Sequence, residues 1–123
     1  MAPGREAEYE ALIARSKAEL PEVKRRFRAG LPKGDHLFIT TRLRDPGGPT
    51  EQIFVQVVDW PEQGARGVIA SQLSLVRGVK YGDYTMVLDE AILDWMISRS
   101  DGTEEGNALG RFLEEQGSNA GNR

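Results

Sequence analysis

The sequence predicts an α+β domain: an N-terminal helix, a small curled antiparallel sheet of four or five strands, and a C-terminal helix. Three observations carry this. Good helix formers with apolar residues near helical spacing fill residues 5–20. From His36 onward, short β-branched runs alternate with Gly, Pro and Asp turn signals. Near the C-terminus, Leu109, Phe112 and Leu113 return to helical spacing.

The first helix places Tyr9, Leu12, Ile13 and Leu20 on one stripe. Pro21 interrupts it, and a second helix over 21–29 is expected, with Pro21 in its first turn, where the missing N–H costs nothing. Val23 and Phe27 extend the buried stripe, Lys24, Arg25, Arg26 and Arg28 fall mostly on the outer face, and Gly30 ends the helix. His36–Arg44 alternates as a strand, with Leu37, Ile39, Thr41 and Leu43 on one side and Phe38 and Thr40 on the other. Asp45-Pro46-Gly47-Gly48-Pro49 is a turn or loop, and Thr50–Trp60 makes the second strand of a hairpin. A third strand covers Arg66–Ala70 and a fourth Asp83–Leu88, with Gly78 and Gly82 bracketing the turn between them. Asp89 starts a short turn or helix carrying Ile92 and Trp95, and Met96–Arg99 adds a short strand. Glu104–Gln116 reads as the last helix. Residues 1–116 are expected as one domain, and the Gly/Ser/Asn tail over 117–123 as disordered.

A chain of 123 residues and no cysteine fits one domain held by its apolar core, without disulfides or thiolate metal sites. No apolar run is long enough to span a membrane, and the charged start after Met1 does not read as a secretory leader, so the cytoplasm is the expected compartment. The net charge of -3 hides an asymmetry. Val23–Lys33 holds five bases and no acid, while Asp83–Glu115 holds nine acids and two bases. Such a basic run can bind nucleic acid, dock on the acidic half, or face water; the last is the expectation adopted.

Chemistry-bearing residues are sparse. The one histidine, His36, opens a strand and reads as a half-exposed strand-edge residue with no local Ser or Asp partner. Glu51, Asp59, Asp89, Glu90 and Asp94 could in principle serve acid–base work or Mg²⁺, but no spacing singles out a pair. No metal site and no cofactor are expected. The Gly47-Gly48 segment lies between antiparallel strands and opens no helix, so it is not a phosphate loop. Trp95 sits in the apolar run Ile92–Ile97 and reads as core; its sharper reading is a recognition pocket in which Asp94 holds the indole N–H or a partner's basic group. Trp60, before Pro61, is expected half exposed.

Glu51-Gln52-Ile53-Phe54-Val55, Gly67-Val68-Ile69-Ala70, Gly78–Tyr81, Gly82-Asp83 and Ile92-Leu93-Asp94-Trp95-Met96-Ile97 occur in an order and spacing that resemble the bacterial domain-of-unknown-function family 2314, the YegJ-like proteins. Ala18-Glu19-Leu20-Pro21 with Phe27, and Asp101-Gly102 followed by Glu105-Gly106-Asn107, fit as well, so the resemblance covers roughly residues 15–115. It departs on the second strand, where the family commonly has Glu-His and then an aromatic and this chain has Gln52 and Phe54. It departs again after the third, where Ser71-Gln72-Leu73 replaces Asn-x-Pro. The resemblance implies no activity.

The function expected is therefore a small non-catalytic protein-binding module, with an immunity-like or regulatory role as its specific form. Trp60, Lys80, Tyr81, Asp94 and Trp95 are its candidate contact residues, and the chain is expected as a monomer or homodimer. A nucleic-acid binder using the basic segment 24–33, through Lys24, Arg25, Arg26 and Arg28, is the first alternative, disfavoured by overall acidity. A carboxylate- or metal-dependent hydrolase is the second.

Overall fold

The structure, a computed structural model, describes residues 4–121, with side chains through Gly117; of the tail expected over 117–123, residues 117–121 continue the last helix and 122–123 lie outside the described residues. Helix α1 (Arg5–Ala29) leads into β1 (His36–Arg44), β2 (Thr50–Asp59), β3 (Gly64–Ile69) and β4 (Tyr84–Leu88). A 3₁₀ turn (Asp89–Ala91) follows, then β5 (Asp94–Ser98), β6 (Glu104–Gly106) and α2 (Ala108–Gly121). The strands form one antiparallel six-stranded sheet in the order β4-β3-β2-β1-β5-β6. The α+β class and both terminal helices are as expected; the sheet has one strand more.

That extra strand replaces the first turn of the expected C-terminal helix. Arg99 N–H bonds the Thr103 carbonyl around the Asp101-Gly102 turn, and Glu104–Gly106 then pairs with Met96–Ser98. Gly106 and Asn107 both have positive φ, 81° and 60°, which turns the chain off the strand before α2 can start. Trp95 accordingly lies in β5, not in a turn or helix with Ile92.

Pro21 does not split the first helix: α1 runs unbroken past it. Leu20 and Val23, on either side of the proline, are both buried in the main core. Lys17 and Lys24 each reach a carbonyl of a distant loop, those of Glu90 and Glu62. Anchoring on both sides outweighs the roughly 3 kcal/mol that an interior proline costs.

The sheet is curled. Leu88 and Asp94 are six residues apart, a reach of about 20 Å, yet β4 and β5 lie four strand spacings apart, about 19 Å across a flat sheet. The registers also separate the two residues along the strands, Leu88 facing Gly64 and Asp94 facing Thr40. Only a curled sheet lets the link close, and it passes through the interior: Ile92 is fully buried. Leu37, Ile39, Ile53, Val55, Ile69, Val87, Trp95 and Ile97 form the core with Leu20 and Val23 of α1. A smaller cluster of Tyr9, Ile13, Leu109 and Phe112 joins α1 to α2.

Candidate functional site

Trp95 and Asp94 are built into the fold. The Trp95 indole N–H donates to the Glu19 carboxylate at 3.0 Å, not to Asp94. The ring lies against Gly106, where a Cβ would fall 2.6 Å from the Trp95 carbonyl oxygen and 2.9 Å from ring carbons. Asp94 is 1% exposed. Its Oδ2 accepts the Leu109 N–H at 2.9 Å, so a β5 carboxylate caps the start of α2, where the helix dipole favours negative charge. Its Oδ1 meets no hydrogen-bond partner among the described residues. Beside them runs a groove of about 740 Å³ between α1 and α2, walled by Glu8, Arg15, Glu19, Arg111 and Glu115 with Trp95 and Phe112.

Trp60, expected half exposed, is 4% exposed. Its indole N–H donates to Asp89 at 2.8 Å, and Lys24 bonds the same carboxylate at 2.8 Å while standing 5.6 Å from the indole ring. Burying the ring costs little because its one polar group has a charged acceptor. Lys80 and Tyr81, by contrast, stand exposed at the turn before β4. The five contact residues expected from sequence therefore separate into two buried tryptophans, one buried capping carboxylate and one exposed turn.

The basic face of α1 is not simply solvated. Arg26 forms a two-pronged bond with Glu105, which also receives Arg99. Arg28 donates to the Trp60 carbonyl, and Lys24 is committed to Asp89. Arg25 pairs with Glu22 one turn earlier on the outer surface. Hydrogen bonds from Arg26, aided by Arg99, hold the Glu105 carboxyl below its ordinary value.

Of the carboxylates considered for acid–base work, Glu51, Asp59, Asp89 and Asp94 have structural partners, and Glu90 is exposed without one among the described residues. Glu51 accepts the N–H groups of Ser74, Leu75 and Val76, which hold its pKa down. Asp45 takes the next two, from Arg77 and Gly78. Two side chains of the β1–β2 hairpin thus clamp five consecutive N–H groups of the β3–β4 loop. Asp59 is paired with Arg66, which lowers its pKa. His36 is exposed at the start of β1, an interior strand, with Nδ1 3.3 Å from Gln56 Nε2. Among the described residues no three His, Asp or Glu side chains are grouped to hold a metal ion. No described helix is long and apolar enough to cross a membrane.

What sequence reasoning missed is the second face of the sheet. Side chains alternate, so Phe38, Phe54, Val68, Tyr84, Met86 and Met96 point away from the face that packs on Leu20 and Val23. The registers align Tyr84, Val68, Gln56, Phe38 and Met96 in one row across five strands. All are half-buried or exposed, and all lie outside both core clusters. Phe38 and Phe54 meet edge-to-face at 6.5 Å. The alternation Phe38-x-Thr40 was visible in the sequence; its alignment with Val68, Tyr84 and Met96 needed the registers.

The family model described as "Uncharacterized protein conserved in bacteria (DUF2314)" matches residues 16–120. The chain belongs to DUF2314. No characterised protein and no solved structure matches it. The DUF2314 resemblance read from the sequence rested on Gly82-Asp83 and Ile92-x-Asp94-Trp95, and their structural roles are now explicit. Gly82 has φ 90° at the entry to β4, and Asp83 accepts the Lys80 N–H there. Ile92 fills the core beneath the crossing link, Asp94 caps α2, and Trp95 seats Gly106. At the two second-strand departures, Gln52 accepts the Tyr9 hydroxyl, so α1 covers the hairpin end of this second face, and Phe54 meets Phe38 next to it.

Proposed function

We propose that this DUF2314 chain is a non-catalytic protein-binding module that presents the uncovered sheet face to its partner. One observation carries the reading: a row across five strands, apolar at Tyr84, Val68, Phe38 and Met96 and interrupted by Gln56, joins neither core cluster. An aligned apolar surface of this kind marks an interaction site. On the same face, at the hairpin end, Arg42 stands 5.9 Å from the Tyr9 ring of α1 and Arg44 is exposed, and neither is in an ion pair among the described residues. The partner that fits is a protein with an apolar patch flanked by acidic residues.

The engaged state of Glu51, Asp59 and Asp89 supports a binding role over a hydrolytic one. Commitment of Lys24, Arg26 and Arg28 to acceptors within the chain leaves the basic helix little charge to offer phosphates. An immunity-like or regulatory task in the bacterial cytoplasm would suit such a module. Immobilised wild-type, Phe38→Gln and Met96→Lys proteins, each checked for an unchanged melting temperature, provide the test. A protein retained from bacterial lysate by the wild type should, on purification and titration, bind both variants at least tenfold more weakly. Equal affinity for all three, or no retained protein at micromolar concentration, overturns the reading.

A further inference from the structure

We infer that a second copy of this chain docks along the outer edge of β4, continuing the sheet across a two-fold axis. The two edges of the sheet differ. β6 is three residues long, carries Glu104 and Glu105, and ends at a glycine with positive φ. β4 reads Tyr84-Thr85-Met86-Val87-Leu88, with no charge and no proline. Edges that must stay unpaired are normally protected by such residues, by bulges or by a covering element.

The backbone of β4 is arranged for pairing. Ile69 N–H donates to the Asp83 carbonyl and Asp89 N–H to the Gln63 carbonyl. Alternation along an antiparallel ladder then turns the N–H groups of Thr85 and Val87 toward β3, and those of Tyr84, Met86 and Leu88 outward. The side chains of those same three residues are 74%, 45% and 46% exposed.

Charge selects the occupant. Lys80 lies in the turn that leads into β4, and Glu62 and Glu90 lie beside Leu88 at its C-terminal end. Among the described residues none of these three side chains is in an ion pair. The Asp83 carboxylate in that turn accepts the Lys80 N–H, which leaves the Lys80 ammonium at one end and Glu90 at the other to complement each other when the two copies run antiparallel. With Met86 opposite its own mate, Tyr84 stands across from Leu88 of the second copy, and the Lys80–Asp83 turn of each chain meets Asp89-Glu90 of the other. An antiparallel edge contact of this kind is isologous and closes on itself, so it yields a dimer and not a fibre. It leaves Phe38 and Met96 free, so the dimer carries two uncovered faces side by side.

Sedimentation equilibrium over a concentration series tests the inference. The wild type should be a monomer–dimer system. Met86→Pro removes one outward N–H while leaving the bonds to β3 in place, a position where an edge strand tolerates proline; it should weaken the dimer at least tenfold. Lys80→Glu should weaken it too, and the double variant Lys80→Glu/Glu90→Lys should restore it, a recovery that misfolding cannot mimic. A wild type that stays monomeric to millimolar concentration overturns the inference, as does a dimer that the proline leaves intact or a double variant that fails to recover. The module reading is judged separately: a Met86→Pro monomer that still binds the partner lost by Met96→Lys upholds that reading whatever the state of the dimer.

Discussion

Trp95 shows how one residue can tie four elements together. Its ring packs on Gly106 of β6, its indole N–H reaches Glu19 of α1, and its carbonyl accepts the Asn107 N–H just before α2. Trp95→Ala should therefore cost about 3–5 kcal/mol in urea unfolding, the range for large buried aromatics; a loss below about 1 kcal/mol would mean that the groove, not the core, owns the ring. Gly106 is the reciprocal case. Its φ of 81° disfavours any side chain, and a Cβ would strike both the carbonyl and the ring of Trp95. Gly106→Ala should cost about 2–3 kcal/mol, and a cost within the error of the melt would show that the β5–β6 hairpin can shift to make room. Burial of Trp95 was legible in the sequence, because an apolar run of six residues leaves few other places for an indole. Burial of Trp60 was not, because its hydrogen-bond acceptor, Asp89, comes from a segment 29 residues away.

Elements in this fold are held by contacts that no local pattern announces. The β3–β4 loop has no secondary structure of its own between residues 70 and 83, yet its N–H groups from Ser74 to Gly78 are all taken by Glu51 and Asp45. The Glu51 carboxyl is held below its ordinary value of 4.5 by those amides. A depressed folded-state pKa stabilises the folded state above the unfolded value, and that contribution is lost as pH falls through the folded one. The amide resonances of Ser74, Leu75 and Val76 should therefore titrate with a midpoint below 4.5, the ordinary value. Glu51→Gln should abolish that titration and speed exchange of the same amides at neutral pH, with little change elsewhere. Amides that titrate identically in the variant would assign the loop's order to some other contact. The strands and both helices were legible because alternation and helical spacing are local signals. The continuity of α1 through Pro21 and the strand at Glu104–Gly106 were not: the first depends on anchors at Leu20 and Val23, the second on pairing with β5.

At the scale of the whole molecule, the charge asymmetry of the sequence is largely resolved within the chain. The basic end of α1 lies over the acidic C-terminal half, with Lys24 on Asp89 and Arg26 on Glu105. A solvated basic face was the expectation from sequence, because a run of charges carries no mark of the distant carboxylates that meet it. The two kinds of arginine on this helix give a direct comparison. Arg25 is 66% exposed and paired only with Glu22 three residues away, so Arg25→Glu should change stability by about 0.5 kcal/mol or less. Arg26 and Glu105 are 34% and 29% exposed, between a surface pair and a buried one. Arg26→Glu removes both of its bonds and sets a second carboxylate against Glu105, so it should cost about 1–2 kcal/mol. That loss should shrink as salt rises from low ionic strength, because the new repulsion is partly exposed and screened over about 8 Å at physiological salt. The contact lies inside one chain and away from β4, so Arg26→Glu should leave the association state unchanged in sedimentation while Met86→Pro alters it. Equal costs for Arg25→Glu and Arg26→Glu would show that the helix does not draw stability from the acidic half. A dimer lost on Arg26→Glu would place the basic helix at the subunit contact instead of β4.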